Sequence, residues 1–352
     1  MSLEIVKPGV NINFVGNRYY AFLISGLLLL ASITSIIWHQ GLNLGVDFRG
    51  GLNLQILLTD PNVEADEIRR ILTEGGIEIS SLQDFGQGER EYLINIPPAD
   101  DNTGERELNL SQKVMGLLNG ALGDKVELRR EEMVGPKVGG DLRQKALYAI
   151  YYSILMIIIY ISGRFEQKWG SSAMFMAILI GVIYLMSLFG LGVGTLIVIA
   201  LIVTLITCYV MRFSYALGSI LALIHDVVIT VGIFSILNKE ITLTFVAAIL
   251  TIIGYSLNDS IIVFDRIREN LRRLKGKTDL ATTINKSVNE TLSRTILTSG
   301  TTMMAVISLY FLGGPVNQDF ALALFIGMTV GTFSSVFIAS PLLLLWEKKK
   351  IA

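Results

Sequence analysis

Eight apolar runs of roughly 20 residues set the terms for this chain, at 19–38, 144–162, 172–190, 193–211, 214–237, 241–264, 293–312 and 318–346. About 20 apolar residues are needed to cross the hydrocarbon core of a bilayer. Inside that core each backbone N–H and C=O must be paired, and a continuous run of this length achieves that as a helix. The chain is therefore expected to be an α-helical polytopic membrane protein. Its composition agrees, because only 17% of its residues are charged, against about 25% in soluble domains. The first run, Tyr19 to Trp38, is too long for the roughly 7–15-residue core of a signal peptide. It ends in Ile36-Ile37-Trp38-His39 and reads as an uncleaved first span. The third and fourth runs are separated only by Gly190 to Gly194, which suggests a tight hairpin. The last run is long, and a bend at Pro341 is expected.

Lys and Arg near the span ends set the orientation. With the N-terminal segment inside, the inner side carries Lys7, Arg18, Arg164, Lys168, Arg212, the 265–292 loop, and Lys348 to Lys350. That loop alone holds Arg266, Arg268, Arg272, Arg273, Lys275, Lys277 and Lys286. The short outer loops hold only Lys239, next to Glu240. Both termini are expected in the cytoplasm. The stretch Asp265 to Lys277 reads as a basic, amphipathic helix on the membrane surface.

Residues 39–143 differ from the rest, being polar and about 100 residues long, and long domains cross regardless of their charge. They are expected to form one extracytoplasmic domain, between a cytoplasmic N-terminal segment with the first span at 1–38 and a bundle at 144–352. Leu52, Leu54, Ile56 and Leu58 alternate as in a half-buried strand. Ile68, Ile71 and Leu72 follow at helical spacing after Asp60-Pro61. Ile77 and Ile79 open a second strand; Tyr92, Ile94 and Ile96 form a third, ended by Pro97-Pro98. Leu110, Val114, Leu117 and Leu118 give another helix face, and Val126 and Leu128 begin a last strand. The order β-α-β-β-α-β is the ferredoxin-like arrangement.

Several function classes are disfavoured. A net charge of −1 offers no basic footprint for nucleic acid. A single cysteine, Cys208, rules out an intrachain disulfide and a multi-cysteine metal site. Only two histidines, His39 and His225, leave little for zinc. The sequence has no phosphate-binding loop or nucleophile motif. No enzyme activity, cofactor or metal is expected.

The segment Gly45-Val46-Asp47-Phe48-Arg49-Gly50-Gly51 follows the first span. Paired glycines ahead of a strand suit a tight turn or a close backbone approach, and Asp47 is placed to cap that turn. A second segment, Val134-Gly135-Pro136-Lys137-Val138-Gly139, precedes the second span. A long motif runs from Gly254 through Tyr255-Ser256-Leu257-Asn258-Asp259-Ser260 to Asn270, and Leu292-Ser293-Arg294-Thr295-Ile296-Leu297-Thr298-Ser299 follows it. These elements, with His225-Asp226-Val227 in an earlier span, resemble the SecD/SecF family of protein-export membrane proteins. The Asn-Asp form of the long motif is similar to its SecF members. The resemblance covers residues 12–165 and 212–346. It implies the RND-superfamily fold: a six-helix bundle, an external ferredoxin-like domain, and Asp47, Phe48, Gly50 and Gly51 as the family motif. It also implies SecD as partner, the SecYEG translocon with YajC and YidC as further neighbours, a translocating polypeptide as cargo, and export helped by the proton-motive force. One departure stands out. About 45 residues follow the Arg164-Phe165-Glu166 turn, where the family pattern runs almost directly into the next span. They hold the two extra runs within 171–211, which read as an inserted two-helix hairpin. Two readings stay open for it: a lipid-facing hairpin packed on the outside, or a docking surface for a partner.

An ionisable group inside a span costs about 2.5–3.5 kcal/mol on insertion scales. Asp226 lies 12 residues into its span, Asp259 near the inner end of its own, and Arg294 near the inner start of the next. A proton relay is one reading, with Arg294 setting the protonation of Asp259; a static ion pair that neutralises two buried charges is the other. For Asp226 with His225 the alternatives are a proton station and a helix-packing polar pair. Asn258 is expected to orient Asp259 or to bond a neighbouring helix. Gly300, Ala305, Gly327, Gly331, Ser334, Ser335 and Ala339 are expected to let the last helices approach closely. Among membrane transporters, a stand-alone RND-like exporter of lipids or small molecules is the competing class, although one external domain and one half-set of spans fit it poorly.

Overall fold

The computed structural model describes residues 10–59, 63–84, 91–98, 104–123, 125–166, 169–187, 192–274 and 278–344. The expected start signal Asp60-Pro61, Gly190 and Leu191 of the expected turn, and Lys7, Lys168, Lys275, Lys277 and Lys348–Lys350 lie outside these residues.

Helix α1 (Arg18–Trp38) leads into a one-turn helix, α2 (Val46–Arg49). The sheet domain follows as β1 (Gly51–Leu58), α3 (Ala65–Glu74), β2 (Ser81–Asp84), β3 (Glu91–Ile96), α4 (Gly104–Leu122) and β4 (Val126–Val134). The strands form one sheet in the order β2-β3-β1-β4, with every neighbouring pair antiparallel. The alternating residues of β1 and β3 bury Leu52, Leu54, Ile56, Ile94 and Ile96 against Ile68 and Leu72 of α3 and Val114 and Leu118 of α4. The second strand begins at Ser81, later than the sequence suggests. Ile77 is buried as part of the turn after α3, held by its N–H to the Leu72 carbonyl.

Among the described residues, six helices are long and apolar enough to cross a membrane. They are α1, α5 (Pro136–Glu166), α8 (Ser214–Ile236), α9 (Leu243–Leu274), α10 (Leu280–Leu312) and the last helix, which begins as α11 (Pro315–Ser334). Two further apolar helices, α6 (Trp169–Ser187) and α7 (Val193–Val210), lie between α5 and α8. Leu179, Leu196, Ala200 and Cys208 are buried, whereas Ile178, Ile180, Tyr184, Leu185, Val198, Ile202 and Ile206 are exposed. Such a one-sided apolar surface suits lipid.

The 265–292 segment differs from expectation. Residues 265–274 continue α9 and residues 280–292 belong to α10, so the two helices extend beyond their apolar parts as an antiparallel pair. Arg266 Nε donates to Glu290 Oε2 at 2.6 Å, and Asn270 Nδ2 donates to the same oxygen at 2.8 Å and to Ser287 Oγ at 2.9 Å. The segment is thus part of a helix pair and not a separate surface helix. Asp279 caps α10, accepting from the Thr282 N–H. Near the other end of the chain, Ser335–Ala339 widens into a π-helical turn, and helix resumes through Leu344. Pro341 lacks an N–H, and its ring crowds the carbonyl four residues back, which accounts for a distortion in the preceding turn.

Candidate functional site: a buried carboxylate centre in the bundle

α8, α9, α10 and α11 meet around two carboxylates. Asp226 sits midway along α8, and Asp259 lies on the neighbouring α9; both are fully buried, at 0% exposure. Asp226 is well furnished with donors. Ser256 Oγ of α9 donates to its Oδ2 at 2.6 Å and Ser334 Oγ of α11 donates to the same atom at 2.8 Å. His225 Nδ1 lies 2.9 Å from Oδ1. Three polar contacts on a buried carboxylate offset much of its desolvation cost. The Nε2 of His225 is buried without a partner among the described residues.

Asp259 is held far more loosely. Among the described residues its one hydrogen bond is from Ser299 Oγ at 3.4 Å, and its Oδ1 is buried without a partner. Ser299 Oγ also lies 2.9 Å from Thr332 Oγ1 of α11. Asp259 lies three residues beyond Ser256, about 4.5 Å further along the helix axis. α11 therefore touches both centres, through Thr332 on the Asp259 side and Ser334 on the Asp226 side. Gly331 makes this possible, since an added Cβ there would sit 3.0 Å from Ser256 Cβ and 3.5 Å from Asp226 Oδ2.

Other expected site residues fall differently. Arg294 is exposed on α10 and forms no ion pair with Asp259 within 4.0 Å among the described residues. Asn258 is also exposed, turned away from the buried face on which Asp259 lies, because adjacent residues on a helix point about 100° apart. It therefore does not orient Asp259. Asp265 pairs with Arg164 Nη2 at 2.6 Å and ties α9 to the end of α5. Ser334 does more than permit close packing, because its hydroxyl is committed to Asp226. Gly327, by contrast, is a packing residue: a Cβ there would come within 2.2 Å of Ile252 Cδ1. Gly300 has nothing within 4 Å of such a Cβ. Neither Ser256 and Ser299 as partners of the carboxylates nor Thr332 as a partner of Ser299 is marked in the sequence, because serine and threonine are common in membrane helices and only tertiary contact distinguishes these three.

The glycine motif lies where the sheet domain meets the bundle. Gly50 has φ 80° and ψ 176°, and Gly51 has φ 120°. A Cβ on Gly50 would lie 2.9 Å from Pro136 Cα and N, and one on Gly51 would lie 2.3 Å from the Ile96 carbonyl oxygen. Phe48 is buried against the bundle's core. Asp47 does not cap its own turn. Its Oδ2 accepts from the Leu243 N–H at 2.8 Å and so caps α9 instead.

Six apolar helices, an antiparallel sheet domain and carboxylates held inside the helices define a multi-pass membrane protein with an ionisable core. Comparison with known proteins gives the family. The model of the protein export membrane protein SecD/SecF C-terminal region matches residues 115–206 and 192–349, and the SecD/SecF GG motif matches residues 35–61. A protein translocase subunit SecF from Desulfurispirillum indicum is 40% identical over 97% of this chain and 93% of its own length. The one from Escherichia coli O157:H7 is 38% identical over 94% of this chain and 87% of its own. A crystal structure of SecDF from Thermus thermophilus, described as a translocon-associated membrane protein, superimposes with a TM-score of 0.68 at 32% identity, covering 99% of this chain and 40% of that longer one. The chain belongs to the SecD/SecF family of protein-export membrane proteins, and the two relatives above, each covered over most of its length, carry the name SecF.

Proposed function

We propose that this chain is the SecF-type subunit of a protein translocase, working with a SecD-type partner to couple the proton-motive force to export across the bacterial inner membrane. The single observation that carries the coupling is the loosely held, fully buried Asp259 beside a second, well-furnished buried carboxylate, Asp226. A carboxylate with an unpaired buried oxygen is poised to exchange a proton, whereas a static ion pair would have its charge neutralised. Arg294 and Asn258 face outward, where a partner's helices would cover them, since neither suits lipid. In this reading Asp259, Arg294, Asp226 and His225 form the proton pathway, and Asn258 and Arg294 belong to the partner-facing side of it. The relative named SecDF, which is longer than this chain, supports the pairing with SecD. SecYEG, YajC and YidC follow as further neighbours, the translocating polypeptide as cargo and the surrounding lipid as solvent.

The sheet order supports a ferredoxin-like domain, placed outside the cytoplasm by the Lys/Arg asymmetry, with both termini inside. The helices α6 and α7 are then a hairpin inserted into the six-helix plan, lying against α5 and α8. No contact among the described residues favours a stand-alone exporter. The test is export in vesicles containing this chain and its SecD-type partner, with and without an imposed proton gradient. Asp259→Asn is expected to abolish stimulation by the gradient while leaving the complex assembled. Stimulation equal to the parent's would end the relay reading.

A further inference from the structure

Helices α8 and α9, which carry the two buried carboxylates, are joined by a short loop, and each of the residues 238–241 in it is fastened to another part of the molecule. The Asn238 carbonyl accepts from Asn43 Nδ2 at 3.2 Å. Lys239 Nζ lies 2.9 Å from Asp319 Oδ1 at the start of α11. Glu240 Oε1 accepts from Ser81 Oγ of β2 at 2.8 Å and from Asn95 Nδ2 of β3 at 2.5 Å. Ile241 makes a two-way backbone bridge with the segment after α1, its N–H to the Asn43 carbonyl at 2.7 Å and its carbonyl to the Gly45 N–H at 2.9 Å. The next helix is capped from the same segment by Asp47. Loops of a compact protein are ordinarily its least constrained parts. This one is a junction of sheet domain, first linker and bundle.

Glu240 alone reaches the strands. Asn95 is only 2% exposed, so its amide needs acceptors, and a carboxylate supplies a charge-assisted one. Moving inward from the loop, α8 reaches Asp226 after ten residues and α9 reaches Asp259 after 16, about 15 and 24 Å of helix. Helices transmit axial shifts over such lengths, because their backbone hydrogen bonds make them stiff. We infer that the 238–242 loop is the coupling that passes movement of the two carboxylate-bearing helices to the sheet domain, with Glu240 as its latch on β2 and β3. The coupling role rests on the reading of Asp259 as a proton-exchanging group; the latch itself does not.

The test has two arms. Spin labels are placed on the full chain at Arg69 of α3 and Leu312 at the end of α10, in a Cys208→Ser background, and the distance distribution between them is measured in lipid nanodiscs. The parent is expected to give one narrow distribution. Glu240→Gln, whose amide oxygen still accepts from Ser81 and Asn95, is expected to keep it, and Glu240→Ala to broaden it at least twofold. An Ala variant as narrow as the parent overturns the latch. In the second arm, vesicles containing the SecD-type partner are energised. Glu240→Ala is expected to lose at least half of the gradient-stimulated export that Glu240→Gln retains. A broadened Ala variant with undiminished stimulation overturns the coupling. A parent that shows no stimulation by the gradient overturns the proton-driven function instead, while the distance arm still judges the latch.

Discussion

Gly50→Ala should loosen the attachment of the sheet domain to the bundle, and the structure sets the size of the effect. Gly50 has φ 80° and ψ 176°, a region of backbone space that is nearly exclusive to glycine. Forcing an L-residue there costs about 1–3 kcal/mol. The new methyl would also lie 2.9 Å from the Pro136 backbone and 3.0 Å from the Val134 carbonyl oxygen. Those are backbone atoms and cannot swing aside, so overpacking adds about 1–3 kcal/mol. The sum, about 2–6 kcal/mol, is comparable with the roughly 5–15 kcal/mol stability of a small domain. Hydrogen–deuterium exchange reads it directly, because each 1.4 kcal/mol is about tenfold in an opening equilibrium. The amides of β1 and of the first turns of α5 should exchange at least ~30-fold faster in the variant. Gly116→Ala in α4 is the control, because nothing lies within 4 Å of an added Cβ there. It should stabilise the same domain by up to about 1 kcal/mol through helix propensity. Unchanged exchange in Gly50→Ala would refute the argument that backbone geometry, rather than a binding role, demands glycine at this position.

Four further outcomes follow from the contacts. Asp47→Ala should cost about 0.5–2 kcal/mol, seen as faster exchange at the Leu243 amide, while Asp47→Asn retains most of the cap. Ser334→Ala removes one donor from buried Asp226 and should destabilise the bundle by about 1.5–3 kcal/mol in denaturant unfolding in detergent; a neutral result would show that Ser256 and His225 suffice. Arg294→Met should shift the stability of the isolated chain by less than ~1 kcal/mol, since Arg294 is exposed and unpaired with Asp259, and should act only in the complex; a large loss in the isolated chain would revive the static pair. Asp279 accepts from Thr282, and that hydrogen bond holds its carboxyl below the usual carboxylate range. A folded pKa below the unfolded one gives stability that is present above the unfolded value and lost as pH falls through the folded one. Protection of the first turn of α10 should therefore decline below about pH 4, and Asp279→Ala should flatten that dependence.

The sequence by itself determined the membrane class and the approximate position of the apolar helices, because the bilayer imposes a length and a composition that local pattern must satisfy; of its eight apolar runs, six are seen among the described residues as helices long and apolar enough to cross. It also determined the strand and helix order of residues 51–134, because period-two and period-3.6 burial are written in Leu52, Leu54, Ile56 and Ile68, Ile71, Leu72. The motif around Asp47, Gly50 and Gly51 and the buried acids Asp226 and Asp259 were legible too, since unusual backbone freedom and intramembrane charge stand out against their surroundings. Only the tertiary structure decided which partners those groups have. Asp47 caps α9, 196 residues away in the chain, and Ser256 and Ser334 furnish Asp226 from two other helices. Asn258 and Arg294 are exposed, and Arg294 makes no ion pair with Asp259 within 4.0 Å among the described residues, because the face a helical residue presents depends on how neighbouring helices pack. The loop at Glu240 looked like a short, polar outer connection and proved to be a junction. No local periodicity encodes such contacts; they arise when distant segments are brought together, and that choice belongs to the packing of the whole chain.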